Sequence, residues 1–199
     1  MGKAMNLAIA LLSLALGANP VEADVVLKGG TLFDGSGAPG IVGDVAIKGE
    51  RIVAVGKFAV AGTPKDIDCT GLYLAPGFID LHTHSDDPLL SPNTRSNRNY
   101  LRQGVTTVVT GNCGSGPTDV ALFFERLEKG EIGSNVIHQV PHNSVRAKVM
   151  GNVNREPTAK ELAAMQELVD KGMRDGAWGL STGLIYNPGT YAKTDELIA

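Results

Sequence analysis

Neither sign of charge dominates this sequence: 18 Lys and Arg stand against 21 Asp and Glu, a formal net charge of −3. No basic stripe is left to grip a phosphate backbone or an anionic membrane surface, so a nucleic-acid partner is not expected. Long hydrophobic runs are missing too. The stretch from Leu7 to Leu16 falls short of the roughly 20 apolar residues that span a bilayer. With Lys3 ahead of it and Val21-Glu22-Ala23 behind, it has the layout of a secretory leader, with an expected cut after Ala23 and export to the periplasm or beyond. A short buried helix or an uncleaved anchor is the alternative. No cysteine follows the run, so lipid attachment has no residue to use, and after processing no membrane span is expected. Cysteine is scarce altogether, with Cys69 and Cys113 alone. In an oxidising compartment those two could pair. Cys113 nevertheless lies in Gly111-Asn112-Cys113-Gly114, just past a strand-like run, where a metal thiolate fits better than a staple.

What is present reads as a globular chain, 43% hydrophobic and 20% charged. After the leader (residues 1–23), residues 24–75 consist of short β-branched runs cut by Lys28-Gly29-Gly30, Asp34-Gly35 and Lys48-Gly49, which predicts a small antiparallel β domain. From Pro76 the rhythm changes to strand and helix in alternation, the pattern of a parallel α/β arrangement. Strands are expected at Phe78–His84, Thr106–Thr110, Val136–Val140 and Ala177–Thr182, and helices near Asn97–Gln103 and Asp119–Lys129. A further helix opens at Thr158, where Glu161 completes a capping box and Leu162, Met165, Leu168 and Val169 form a core-facing stripe. Thr194–Ala199 looks like the first turns of another. Residues 76–199 thus spell about four strand-helix units, the N-terminal half of a (β/α)8 TIM-like barrel, and the chain reads as a fragment of a longer protein.

The chemistry concentrates in Pro76-Gly77-Phe78-Ile79-Asp80-Leu81-His82-Thr83-His84. In an extended segment alternate side chains share a face, which puts Asp80, His82 and His84 together at a strand end. Two imidazoles so placed are a candidate metal floor, with Asp80 available to hold a histidine tautomer from behind or simply to be a buried hydrogen bonder. His138 reads as structural, and Asp86 and Asp87 as a solvated loop. His142 and Arg146 follow the third strand and are candidate pocket residues, a surface loop being the alternative. Gly179-Leu180-Ser181-Thr182-Gly183 fits the pattern of a serine-hydrolase nucleophile elbow, but Pro188 and Gly189 prevent the prompt helix that such an elbow needs.

The strand 1 block resembles the signature of the amidohydrolase superfamily. Gln103 through Gly114, Gly176-Ala177-Trp178 through Tyr186, and Pro188-Gly189-Thr190-Tyr191-Ala192 are similar to the N-acyl-D-amino-acid deacylase (D-aminoacylase) family in particular. That resemblance implies zinc, one or two ions per site, with Cys113 as a principal ligand and His82 and His84 at a second, weaker position. It implies a small-molecule N-acyl amino acid as substrate and a place for Tyr191 near it, and it puts two further histidine ligands and the acid/base aspartate beyond Ala199. Pro141 departs from the Gly-His that relatives show at that point. A chain ending at Ala199 is expected to be inactive by itself. The alternatives are another amidohydrolase acting on cyclic amides, of the dihydroorotase or hydantoinase kind, or a non-catalytic barrel relative.

Overall fold

The computed structural model describes residues 19–199 and divides the chain into two compact units, the first ending at Pro76 and the second beginning at Gly77. The apolar run of the expected leader lies outside the described residues. Among the described residues no helix is long and apolar enough to cross a membrane.

The first unit is built on β2 (Val25–Leu32), preceded by the two-residue β1 (Val21–Glu22). β2 pairs antiparallel with β3 (Ile41–Lys48), which pairs antiparallel with β4 (Arg51–Gly56). These hairpins follow from the glycine-rich turns that separate them. The remaining strands are β5 (Val60–Ala61), β6 (Lys65–Asp68) and β7 (Tyr73–Leu74). β6 and β7 run parallel to β2 along its other edge, and β5 runs parallel to β1. The expected all-antiparallel unit is therefore corrected to a mixed sheet. After β4 the chain returns through β5, which pairs with β1, before rejoining the larger sheet, so that β6 and β7 enter in the same direction as β2. β1 lies upstream of the expected cut after Ala23, and cleavage there would remove it together with the Glu22–Lys48 ion pair.

The second unit carries the parallel strands. β8 (Phe78–Asp80) leads to the short helices α1 (Asp86–Leu90) and α2 (Arg98–Leu101), then to β9 (Val105–Thr110) and α3 (Val120–Gly130). β10 (Asn135–His138) and β11 (Val140–Pro141) follow, then α4 (His142–Met150), α5 (Ala159–Arg174), β12 (Leu180–Ser181) and α6 (Thr194–Ile198). β9 sits between β10 and β8, both parallel to it, and β11 pairs parallel with β12. The third expected strand is split at Gln139, because the chain leaves β9 as a partner there and takes up β12. Asp119 caps α3 by accepting from Leu122 N, and Val120, Phe123 and Leu127 recur on its buried face. The capping box of α5 forms as the spacing predicts, with Thr158 and Glu161 each satisfying the other's backbone N–H.

Two apolar clusters hold the layers together. Val108, Phe123 and Leu127 join Leu89 between β9 and α3, and Val120, Val140, Val145 and Met165 join α3, α4 and α5 to β11. Each such side chain contributes about 1.5–3 kcal/mol when fully buried. Phe78, Ile79 and Leu81 at the β8 edge, and Trp178 near β12, are exposed.

Two helices depart from the sequence expectation. α1 replaces the expected solvated loop at Asp86 and Asp87 with a helix in which Asp86 is buried and Asp87 stays exposed, Pro88 lying early enough in it to be tolerated. α4 begins directly at His142, where a pocket residue or a surface loop was expected, and buries His142, Asn143, Val145 and Arg146.

Candidate metal centre

β8 ends at Asp80, yet the alternation persists for several residues beyond it. Thr83 N and Thr83 Oγ1 both donate to Val109 O, at 3.1 and 2.8 Å, so the segment stays laid along β9 with Thr83 buried. His82 and His84 are thereby turned to the opposite, open side, their rings 5.5 Å apart and nearly edge to face. Asp80 Oδ1 accepts from the backbone N of His82 at 3.1 Å. It fixes the chain at the first histidine and forms no hydrogen bond with either imidazole.

The third group comes from the turn after β9. Gly111 and Cys113 both adopt positive φ, +77° and +55°, which folds the chain back on itself within four residues. For a side chain as large as cysteine the left-handed conformation costs about 1–2 kcal/mol, and surrounding contacts have to hold it. Asp86 Oδ1 accepts from Gly111 N at 2.9 Å, and Asn112 Nδ2 donates to Val109 O at 2.9 Å. Gly111 itself must be glycine, since a Cβ there would collide with the Gln139 carbonyl. The turn delivers the Cys113 sulfur to 3.4 Å from His82 Nε2.

One ligand atom each from His82, His84 and Cys113 lies within 4.8 Å of the others. Donors around a single tetrahedral zinc stand about 3.5 Å apart, given bond lengths of about 2.0–2.3 Å. The soft sulfur and borderline nitrogens suit zinc better than calcium or magnesium, which prefer oxygen. The donor set therefore fits a zinc ion. Both cysteines are free thiols, so Cys113 is not tied up in a disulfide.

His84 and Cys113 open onto a cavity of about 430 Å3, walled by Ser115, Asn143, Tyr186 and Pro188 among others. Asn143 organises that wall, its Nδ2 donating to Gly183 O at 2.9 Å. Tyr186 is a lining residue and Tyr191 is not: Tyr191 lies in the following turn, where its N donates to Pro188 O.

His142 and Arg146 sit apart from this cavity. His142 Nε2 is 2.9 Å from Glu196 Oε1, Arg146 Nη1 donates to Glu196 Oε2, and Arg146 Nη2 donates to Arg155 O at 2.6 Å. All three side chains are at least nine-tenths buried. Glu196 is the residue that sequence reading missed, because nothing local marks a carboxylate in a short helix as the partner of groups so far upstream.

Behind the metal-facing side, Asp86 and His138 form a second buried pair, 3.8 Å apart. Burial pushes the Asp86 carboxyl up, against the pull of its own backbone amide, the Gly111 N–H and the two histidines His138 and His84. Burial likewise pushes His138 down, opposed by its bond to the Pro117 carbonyl and by Asp86. Because a carbonyl can only accept, His138 Nε2 carries the proton toward Pro117 O at 3.0 Å, leaving Nδ1 to accept from Thr110 Oγ1 at 2.8 Å.

Comparison with known proteins points the same way. Residues 65–198 match the amidohydrolase family. An N-acyl-D-aspartate deacylase from Alcaligenes xylosoxydans xylosoxydans is 41% identical over 90% of this chain and 40% of its own length. A D-aminoacylase from the same organism is 39% identical over 88% of this chain and 40% of its own. A crystal structure of D-aminoacylase superposes with a TM-score of 0.83 at 39% identity, covering 88% of this chain and 42% of that one. An N-acyl-D-glutamate deacylase from Bordetella bronchiseptica, complexed with zinc and a phosphonate mimic of the tetrahedral intermediate, gives 0.82 at 33% identity, covering 89% and 42%. A further D-aminoacylase structure is described as holding a binuclear metal centre. The chain spans about 40% of the length of the curated relatives it matches. With a match over most of its residues and a histidine pair and a thiol presented at the ends of adjacent parallel strands, this chain belongs to the amidohydrolase family.

Proposed function

We propose that this chain is part of a zinc-dependent hydrolase that cleaves N-acyl-D-amino acids to a carboxylate and the free D-amino acid. The observation that carries this reading is the convergence of His82, His84 and Cys113 at the mouth of a cavity sized for a small molecule. In this reading β8 to β12 and their helices are part of a barrel whose further strands would cover the exposed Phe78, Ile79 and Leu81. A divalent ion held there would supply Lewis acidity and a nucleophile at neutral pH.

The protein's own groups then divide the work. His82, His84 and Cys113 hold the ion. Ser115, Asn143 and Tyr186 offer polar atoms along the cavity wall to orient the acylated amino acid. None of the residues lining the cavity is a carboxylate. Resemblance to the deacylases assigns protonation of the departing amine to an aspartate past Ala199. Export through a leader cleaved near Ala23 is proposed alongside, on the strength of the Leu7–Leu16 run, and N-terminal sequencing of the exported protein tests it.

Zinc-loaded full-length protein is expected to release amino acid from N-acyl-D-aspartate, N-acyl-D-glutamate or a neutral N-acyl-D-amino acid, and not from the L-enantiomers. Cys113→Ala is expected to abolish that turnover and lower the zinc content. Equal turnover of the L-enantiomers, or unchanged activity in Cys113→Ala, would overturn the reading.

A further inference from the structure

Ser181, the central residue of Gly179-Leu180-Ser181-Thr182-Gly183, is not presented to the cavity as a nucleophile would be. Its hydroxyl donates to Gly111 O and accepts from Gly114 N at 3.0 Å. One oxygen thus joins the residue that opens the cysteine turn to the residue that follows Cys113. Two residues on, Gly183 packs so closely that a Cβ there would collide with the Cys113 carbonyl. The backbone of this segment lies directly against the left-handed turn that carries the sulfur.

We propose that Ser181 is the positioning residue for the Cys113 thiolate, its hydroxyl clasping the Gly111–Gly114 turn so that the sulfur stands beside His82 before metal arrives. The proposal deepens the reading of Cys113 as a ligand and rests on it. The turn has two residues at positive φ ahead of Gly114, which itself has a φ of +69°. A cysteine in that conformation is not held by its own preference, and without outside contacts the turn would relax and carry the sulfur away. Asp86 and Asn112 fix the turn from the β9 side. Among the described residues, Ser181 alone bridges its two ends by side-chain hydrogen bonds from the β12 side. With its one proton donated to the Gly111 carbonyl, its hydroxyl is not hydrogen-bonded to a base that could activate it as a nucleophile.

The test uses the full protein loaded with Co(II), whose near-ultraviolet thiolate charge-transfer band reports the sulfur–metal bond directly. Unsubstituted protein is expected to show the band and Cys113→Ala to lack it. Absence of the band in unsubstituted protein would remove the reading of Cys113 as a ligand, and with it the proposal. With the band present, Ser181→Ala is expected to bind Co(II) and zinc about 10- to 100-fold more weakly, the loss typical of residues that orient a ligand, with a weakened band. Ser181→Thr, which keeps the hydroxyl, is expected to restore both. Affinity in Ser181→Ala within twofold of the unsubstituted protein, with an unchanged band, overturns the proposal and leaves the ligand reading intact. So does loss in Ser181→Thr equal to that in Ser181→Ala. Should Ser181→Ala fail to fold, amide exchange at Gly114 in the unsubstituted protein decides: zinc is expected to slow it severalfold, since binding and clasp stabilise each other, and no change overturns the proposal. Labelling of Ser181 by a fluorophosphonate would also overturn it, by showing the hydroxyl free to react.

Discussion

Two of the histidine-bearing clusters near strand ends in the second unit differ in what closes them. His82 and His84 are exposed, have no hydrogen bond to a carboxylate from their rings among the described residues and face the Cys113 sulfur. His142 is buried, and Glu196 occupies both its Nε2 and the guanidinium of Arg146. The first cluster keeps lone pairs available for a cation, while the second has already supplied its counter-ion from within the chain. In this chain the histidines that stand open to metal are the ones with no acidic side chain hydrogen-bonded to their rings.

The largest way to break this comparison is Glu196→Ala. Removing one partner of a buried ion pair leaves Arg146 and His142 uncompensated and is expected to cost about 3–5 kcal/mol, read as a shifted denaturant midpoint. Zinc affinity at the open cluster should not change once the protein is folded, and a parallel loss of zinc would show the two clusters to be coupled. His82→Ala has the opposite signature. It should weaken zinc binding at least as much as the roughly 10- to 100-fold typical of an outer partner, and leave stability of the metal-free protein within about 0.5 kcal/mol, as calorimetry with and without zinc would show. Thr158→Ala, which removes the cap of the helix backing α4, should cost about 1 kcal/mol and leave zinc affinity alone.

A smaller effect sharpens the picture of the third histidine. Burial holds His138 below its ordinary value of about 6.5, so on acidification the unfolded chain takes up a proton that the folded imidazole refuses. His138 thus contributes stability above about pH 6.5 that is lost as pH falls toward its depressed folded value. Asp86, pushed up by burial, works in the opposite sense, gaining stability as pH falls. Melting profiles from neutral pH to about pH 5 should fall more steeply in the unsubstituted protein than in His138→Asn, which retains Asp86; identical slopes would show His138 to be unshifted.

Much of the second unit was legible because its signals are local. The Thr158–Glu161 box, the i, i+3, i+7 pattern of α3 and the alternation through His84 each act within a few residues. α4 was not legible: no capping residue precedes His142, and its buried residues include His142, Asn143 and Arg146, polar groups whose burial depends on partners elsewhere in the chain. Within the site, the residue types that ligate a metal announce themselves, whereas Asn112, Ser181 and Asp86 work by hydrogen-bonding backbone, a role any polar residue could read as having. The mixed pairing of the first unit was hidden for a related reason, since strand propensity carries no direction.

That mixed pairing sets an order of assembly. β2 meets β3, and β3 meets β4, through sequence-adjacent hairpins, but the other edge of β2 waits for Lys65–Asp68 and Tyr73–Leu74 to emerge. During synthesis β2 is consequently an uncovered edge for the whole interval between those events, a template for stray strands until the later residues close it.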